Sequence, residues 1–293
     1  MYYEAIPQTV WQERRERHRA RLAPFLEEHR DRRYRGEKHP VWDFFFEYYS
    51  FKTSHLLRWT PNFGEVLEDG DEFLALKGFS KVENGVTLNI SQFPLHRMAS
   101  LRDSLQILIS TAERTATHGC FGLHEWAMVY KCPNPRHDVN LRLSAPEIAA
   151  FVESQTVRCS HYDAFRFFTP EAVPLNILNP SHDNRADFEQ PGCIHANMDL
   201  YKMAYKWSPW SGAELLADAF EVAKEARYLD MCAAPYDLRE FGFQPVRIET
   251  SEGRAEYVIK QREIAAKAAP IRARLIENYK ALLEKITPLS SGG

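Results

Sequence analysis

The chain has 293 residues, 44% of them hydrophobic and 26% charged, with a formal net charge of −3 and a pI near 6.4, the usage of a folded globular protein with a sizeable core. That balance excludes general electrostatic steering toward nucleic acid, and the five widely spaced cysteines without a C-x-x-C exclude a disulfide framework or a zinc ribbon. With no charged-then-apolar leader and no long uninterrupted apolar run, the expectation is a cytoplasmic protein with no membrane association.

In chain order, residues 1–38 read as a basic N-terminal helical segment. Ten Lys/Arg face six Asp/Glu between Trp11 and Lys38, and Pro24 is expected to break or kink the run. "HPVWDFFFEYYSF" places Trp42, Phe45, Phe46 and Tyr49 at helical spacing, predicting a short aromatic helix over 40–51. Strands are expected at 73–76, 79–83 and 86–90, the last two joined at Asn84-Gly85, the dipeptide suited to a type I′ turn. An amphipathic helix follows over 94–117, then a helical "GLHEWAMVYK" and a strand at "VNLRLS". Ser144-Ala145-Pro146-Glu147 has the form of a capping box opening the next helix. "TVRCSHYDAFRFF" alternates as a strand, and residues 194–207, 212–232 and 252–286 read as helices before a flexible tail, 287–293. The class expected is mainly α with a small antiparallel β-sheet (α+β), in a single globular domain over 1–293.

Reactive side chains concentrate in "NILNPSHDNRADFEQPGCIHANMDLYKMAYK", residues 176–206, which is expected to form one wall of an active site. On the strand expected there, His161 and Asp163 at i and i+2 project from one face. His195 and Asp199, at i and i+4, share one face of the helix opened by Pro191-Gly192, with Tyr201 and Lys202 beside them. His124 and Glu125 form half of an H-E-x-x-H motif; Met128 stands where the second histidine would be, which excludes zincin chemistry on this pattern. Absence of G-x-G-x-x-G, Walker, G-x-S-x-G and kinase motifs leaves dinucleotide, P-loop and hydrolase-elbow chemistry without support.

"GEKHPVWDFFFEYYSFK", "GLHEWAMVYK", "RCSHYDAFRFFTPEAVPLNILNPSHDNRADFEQPGCIHANMDLYKMAYKWSP" and "LDMCAAPYDLREFGFQPVRIETSEGRAEYV" together resemble a bacterial family labelled 3-methyladenine DNA glycosylase, over nearly the whole chain. The resemblance implies hydrolysis of an N-glycosidic bond, releasing an alkylated purine from DNA or a related small N-glycoside, with no cofactor required. Such chemistry needs an aromatic slot for a flat cationic base, a carboxylate for the oxocarbenium-like sugar, and a group to orient water. Trp42, Tyr48 and Trp126 are candidates for the slot, with Glu125 and Tyr201 as further substrate contacts, Asp163 or Asp199 for the carboxylate, and His161 or His195 to hold it or the water. Two other readings stay open. His161, Asp163, His195 and Asp199 are a donor set suited to a divalent metal and a small-molecule substrate, and the same aromatics could serve a non-catalytic binder of a planar ligand.

Overall fold

The computed structural model describes residues 5–133 and 139–290. They form a mainly helical fold with one small antiparallel sheet, in two compact units that are each discontinuous in sequence. The first comprises Met1–Gln106, Tyr201–Phe220 and Ile271–Gly293; the second comprises Ile107–Leu200 and Glu221–Pro270. Among the described residues no helix is long and apolar enough to cross a membrane.

The first unit is built on α1 (Gln8–Tyr34), whose buried stripe of Trp11, His18, Leu22, Leu26 and His29 faces its core. The helix runs on through Pro24, contrary to the expected break. Proline removes one backbone hydrogen bond, but Leu22 and Leu26 are buried on either side of it and hold the helix by packing. Four arginines of α1 are matched by carboxylates from other elements: Arg14 bonds Glu65 and Glu214, Arg15 bonds Glu72, Arg21 bonds Asp218 and Arg33 bonds Glu47.

Two short helices follow, α2 (Phe44–Glu47) and α3 (Thr53–Leu57), the former a single turn where a helix over 40–51 was expected. The sheet comprises β1 (Val66–Leu67), β2 (Phe79–Val82) and β3 (Gly85–Leu88) in the order β1-β3-β2. The Asn84-Gly85 hairpin forms as expected, with Val82 opposite Gly85. Gly85 sits at φ 145°, and a Cβ there would meet the Leu67 carbonyl oxygen at 2.1 Å, so glycine is what lets β1 lie against β3. The strand expected at 73–76 is instead a 3₁₀ turn, Asp71–Ala75, that buries Phe73 edge-on to Trp11 at 5.5 Å.

The second unit contains the end of α4 (Met98–Glu113), then α5 (Leu123–Val129), α6 (Ala145–Glu153), α7 (Tyr162–Phe165) and α8 (Arg185–Phe188). It also holds residues 194–200 of α9 (Ile194–Lys206), 221–233 of α10 (Ala213–Ala233) and 251–270 of α11 (Ser251–Ser290). Ser144 and Glu147 form the expected capping box on α6, and Glu147 Oε2 accepts the Ser144 N–H at 2.8 Å. Two strands expected here shrink to single bridges, Leu141 with Tyr236 and Val157 with Asn176. At the second bridge the Asn176 side chain takes over the ladder. Its Oδ1 accepts the Cys159 N–H at 2.7 Å and its Nδ2 donates to the Cys159 carbonyl at 3.0 Å, after which the chain coils into α7. Residues 287–290, expected in the tail, continue α11; residues 291–293 lie outside those described.

Candidate metal centre

Three short stretches of the second unit carry ionisable side chains into its core. α5 starts at Gly122, whose φ of 74° is a left-handed turn that suits glycine. It buries His124 and Glu125 together with Leu123, Trp126, Ala127 and Val129. α9 starts after Pro191-Gly192 and presents His195. α10 supplies Arg227 and Asp230, one turn apart, with Asp230 fully buried.

These groups converge. The Nε2 of His124 is 3.0 Å from Asp230 Oδ1, the Nε2 of His195 is 3.7 Å from Asp230 Oδ2, and the two imidazole rings stand perpendicular with centroids 4.2 Å apart. One donor atom from each of the three residues lies within 4.8 Å of the other two. Two ligands about 2.0–2.1 Å from a tetrahedral cation are separated by about 3.3 Å, so the observed 3.0 and 3.7 Å bracket the spacing a zinc-like ion imposes. His124 and Asp230 form a buried ion pair, and Glu125 Oε1 lies 3.9 Å from His124 Nε2.

The two imidazoles are shifted in opposite directions. Burial lowers the pKa of His195 well below the ordinary range, and the charge on His124 adds to the effect, so His195 is a neutral imidazole with a free lone pair. His124 shifts the other way: burial opposes its protonation, but Asp230 outweighs burial and raises it. Asp230 is held as a carboxylate despite its burial, by His124, His195 and Arg227. Glu125 faces Arg227 at 3.2 Å, and Arg227 reaches Asp230 at 3.3 Å, so a guanidinium backs the site from behind.

A second buried cluster adjoins the first. Arg185 bonds Glu189 at 2.7 Å and Asp199 at 3.3 Å, and His161 Nε2 faces Asp199 at 3.4 Å and Glu189 at 3.8 Å. The His161 ring lies 5.4 Å from the His195 ring. Here the chain's own guanidinium is the cation between the carboxylates.

A cavity of about 310 Å³ opens against His124 and His195. Its walls are fixed by the Gln190 side chain, whose Oε1 accepts from the N–H groups of Thr117 (2.8 Å) and Gly192 (2.7 Å) while Nε2 donates to the Thr117 carbonyl (3.1 Å). Arg114 donates to the carbonyls of Glu189 and Ala186, and Gln261 Nε2 donates to that of Gly192. The free thiols of Cys120, Cys159 and Cys193 line the same space.

The residues singled out from the sequence divide accordingly. His195 is in the three-residue cluster and His161 beside it, but the pairings differ from those expected. Asp199 serves Arg185 and His161, whereas the carboxylate facing His195 is Asp230. Asp163 lies in the one-turn α7 and pairs with Arg166 at 3.2 Å, because His161 caps a helix and the period-two geometry of a strand does not apply. Glu125 is a buried ion-pair partner of Arg227.

The expected aromatic slot is not assembled from the residues assigned to it. Trp126 is fully buried with its indole N–H donated to the Ala233 carbonyl at 2.9 Å. Trp42, Tyr48 and Tyr201 belong to the first unit, where Trp42 packs edge-on to Phe25, Tyr48 stacks on Phe44, and buried Tyr201 packs on Phe220. Within the polar stretch 176–206, His182 and Asp183 are exposed, and the groups turned inward are Arg185, Glu189, Gln190, His195 and Asp199. Sequence reasoning missed Asp230 and Arg227 as site groups; Arg185, Glu189 and Gln190 lie in the stretch it expected to wall the site, without a role assigned to them. The available signal for Asp230 was an acidic residue inside the apolar run "EARYLDMCAA".

Compared with protein-family models, with curated proteins and with solved structures, the chain finds no match in any of the three.

Proposed function

We propose that the second unit is a metal-dependent enzyme: a divalent cation held by His124, His195 and Asp230 acts on a small molecule in the adjoining cavity. The observation that carries this reading is the convergence of His124, His195 and Asp230, one donor atom of each within 4.8 Å of the others beside the cavity; His124 would lose its proton on binding the cation. Two imidazoles and one carboxylate leave coordination positions open for water and substrate, and suit zinc or iron. A cation held by these residues would lower the pKa of a bound water to about 7. Arg227 holds Asp230 in place, and His161, oriented by Asp199 and Glu189, is the neighbouring imidazole available to exchange a proton.

The glycosylase reading has less support in the geometry. Its aromatic residues are committed to packing, and Asp199 and Asp163 are committed to arginines. Duplex DNA as partner would require phosphate contacts, and four of the α1 arginines, Arg14, Arg15, Arg21 and Arg33, are ion-paired.

Metal analysis of protein purified without a histidine tag tests the reading. We expect close to one equivalent of zinc or iron per chain, retained on gel filtration, removed by chelator, and absent from His124→Ala. Less than a tenth of an equivalent, together with no thermal stabilisation by added zinc, iron(II) or manganese, would remove it.

A further inference from the structure

The first unit holds an ionisable group that the proposed centre does not use. Its aromatic segment, residues 39–49, runs between two exposed links, 33–38 on one side and Ser50 on the other. The segment buries Val41 and Phe45, and Phe45 packs edge-on to Phe220 at 5.4 Å and to Tyr201 at 6.0 Å. A histidine closes its first turn. His39 Nδ1 accepts the N–H groups of Val41 and Trp42, each at 3.2 Å, which is the place a serine, threonine or asparagine side chain ordinarily takes at the start of a helix. Asp43 returns the bond: its Oδ2 accepts the His39 N–H at 2.9 Å, while the His39 carbonyl accepts the Asp43 N–H at 3.3 Å. The result is a reciprocal cap with an imidazole in place of a hydroxyl. A hydroxyl or amide oxygen accepts at any pH, but an imidazole nitrogen accepts only while it carries no proton.

We propose that His39 is an acid-sensitive latch: with Nδ1 unprotonated it holds the 39–49 segment closed, and protonation sets a third N–H against those of Val41 and Trp42, releasing the turn and loosening Phe45 from Tyr201 and Phe220. The groups facing the ring set where this happens. Half-burial disfavours the charged imidazole and Arg32 of α1 adds to the effect, while Asp43 in the turn and Glu28 of α1 oppose it, and the balance lies below the ordinary pKa of 6.5. Asp43 cannot serve the imidazolium alone, because its Oδ1 lies 3.2 Å from His29 Nδ1 and 3.7 Å from Arg32 Nη2. A depressed folded value means that the unfolded chain takes up the proton more readily. The latch is therefore fully closed above about pH 6.5 and is released as pH falls from there through the folded value.

Amide hydrogen exchange on the full chain, corrected for the intrinsic pH dependence of exchange, tests this. Protection of the Val41 and Trp42 amides should fall about tenfold between about pH 7.5 and about pH 5.5, the effect of losing about one hydrogen bond. In His39→Asn it should stay level, since the asparagine oxygen accepts at both pH values. A local readout is needed because His18, His29 and His55 of the same unit also have depressed pKa values and bend the global stability curve in the same direction. Nitrogen-15 spectra of the wild-type imidazoles give a second readout that needs no variant: at about pH 7.5 the unprotonated nitrogen of His39 should be Nδ1, and its titration should track the loss of protection. An Nδ1–H tautomer at that pH, level protection across the range in the wild type, or an equal fall in His39→Asn would overturn the proposal.

Discussion

Gly192→Ala is the sharpest test of how the site is braced. A Cβ at Gly192 would lie 2.4 Å from the Thr117 carbonyl oxygen, 3.0 Å from Gln190 Oε1 and 3.1 Å from His118 Nε2. The first contact is about 1 Å short of van der Waals separation, and it is made to backbone, so the two segments must part. Parting them strains or breaks the three bonds through which Gln190 ties Thr117 to Gly192. Overpacking costs about 1–3 kcal/mol and each lost hydrogen bond about 1 kcal/mol, so the variant should lose about 3–5 kcal/mol. His195 lies three residues on, so zinc affinity should fall with stability. Urea unfolding followed by fluorescence and by circular dichroism measures the loss. Gly119→Ala, also on the cavity lining but with nothing within 4 Å of the added carbon, is the control and should match wild type or gain up to about 1 kcal/mol. If Gly192→Ala unfolds within about 1 kcal/mol of wild type, the brace is not what holds these segments.

Three further outcomes follow from the same geometry. Asp230→Asn should weaken zinc binding at least about 100-fold, about 2.7 kcal/mol, in a chelator competition, and unchanged affinity would take Asp230 out of the site. Burial pushes the Cys193 thiol up to about 12, so at pH 8 iodoacetamide should leave it unmodified in the native protein while labelling it in urea; native labelling as fast as that of Cys132 would contradict its burial. Glu249 is half-buried, yet its bonds from Arg142 depress its pKa below the ordinary value of 4.5; the stabilisation is therefore present above about pH 4.5 and lost as pH falls through the folded value. Glu249→Gln should cost about 2 kcal/mol at pH 7 and flatten the acid limb of the stability curve, and an unaltered limb would show the pair contributes nothing there.

The helices that build the site were legible because their apolar spacing repeats over many residues. The hairpin and the capping box were legible because Asn84-Gly85 and Ser144-x-x-Glu147 are local signals. The site was only half legible. His124 was visible as part of an incomplete motif, and its partners come from α9 and α10 rather than from its own helix. No spacing rule joins His124 to an aspartate 106 positions later in an alanine-rich helix. His161 and Asp163 failed for the opposite reason: the alternating pattern is real, but Asn176 caps the backbone at Cys159 and the strand ends before it reaches them. The aromatic residues around Trp42 carried no sign of which unit they would pack into, since core packing and a ligand slot ask for the same side chains.

Arg185 gives the acidic pair Glu189 and Asp199 a counter-ion that is covalently part of the chain, whereas Asp230 is paired with the His124 imidazolium, which would lose its proton to solvent where a cation bound. One cluster thus carries a permanent countercharge and its neighbour an exchangeable one. On the metal reading, a chelator would discharge only the second, so half of the site's electrostatic frame, with His161 still facing it, would survive demetallation.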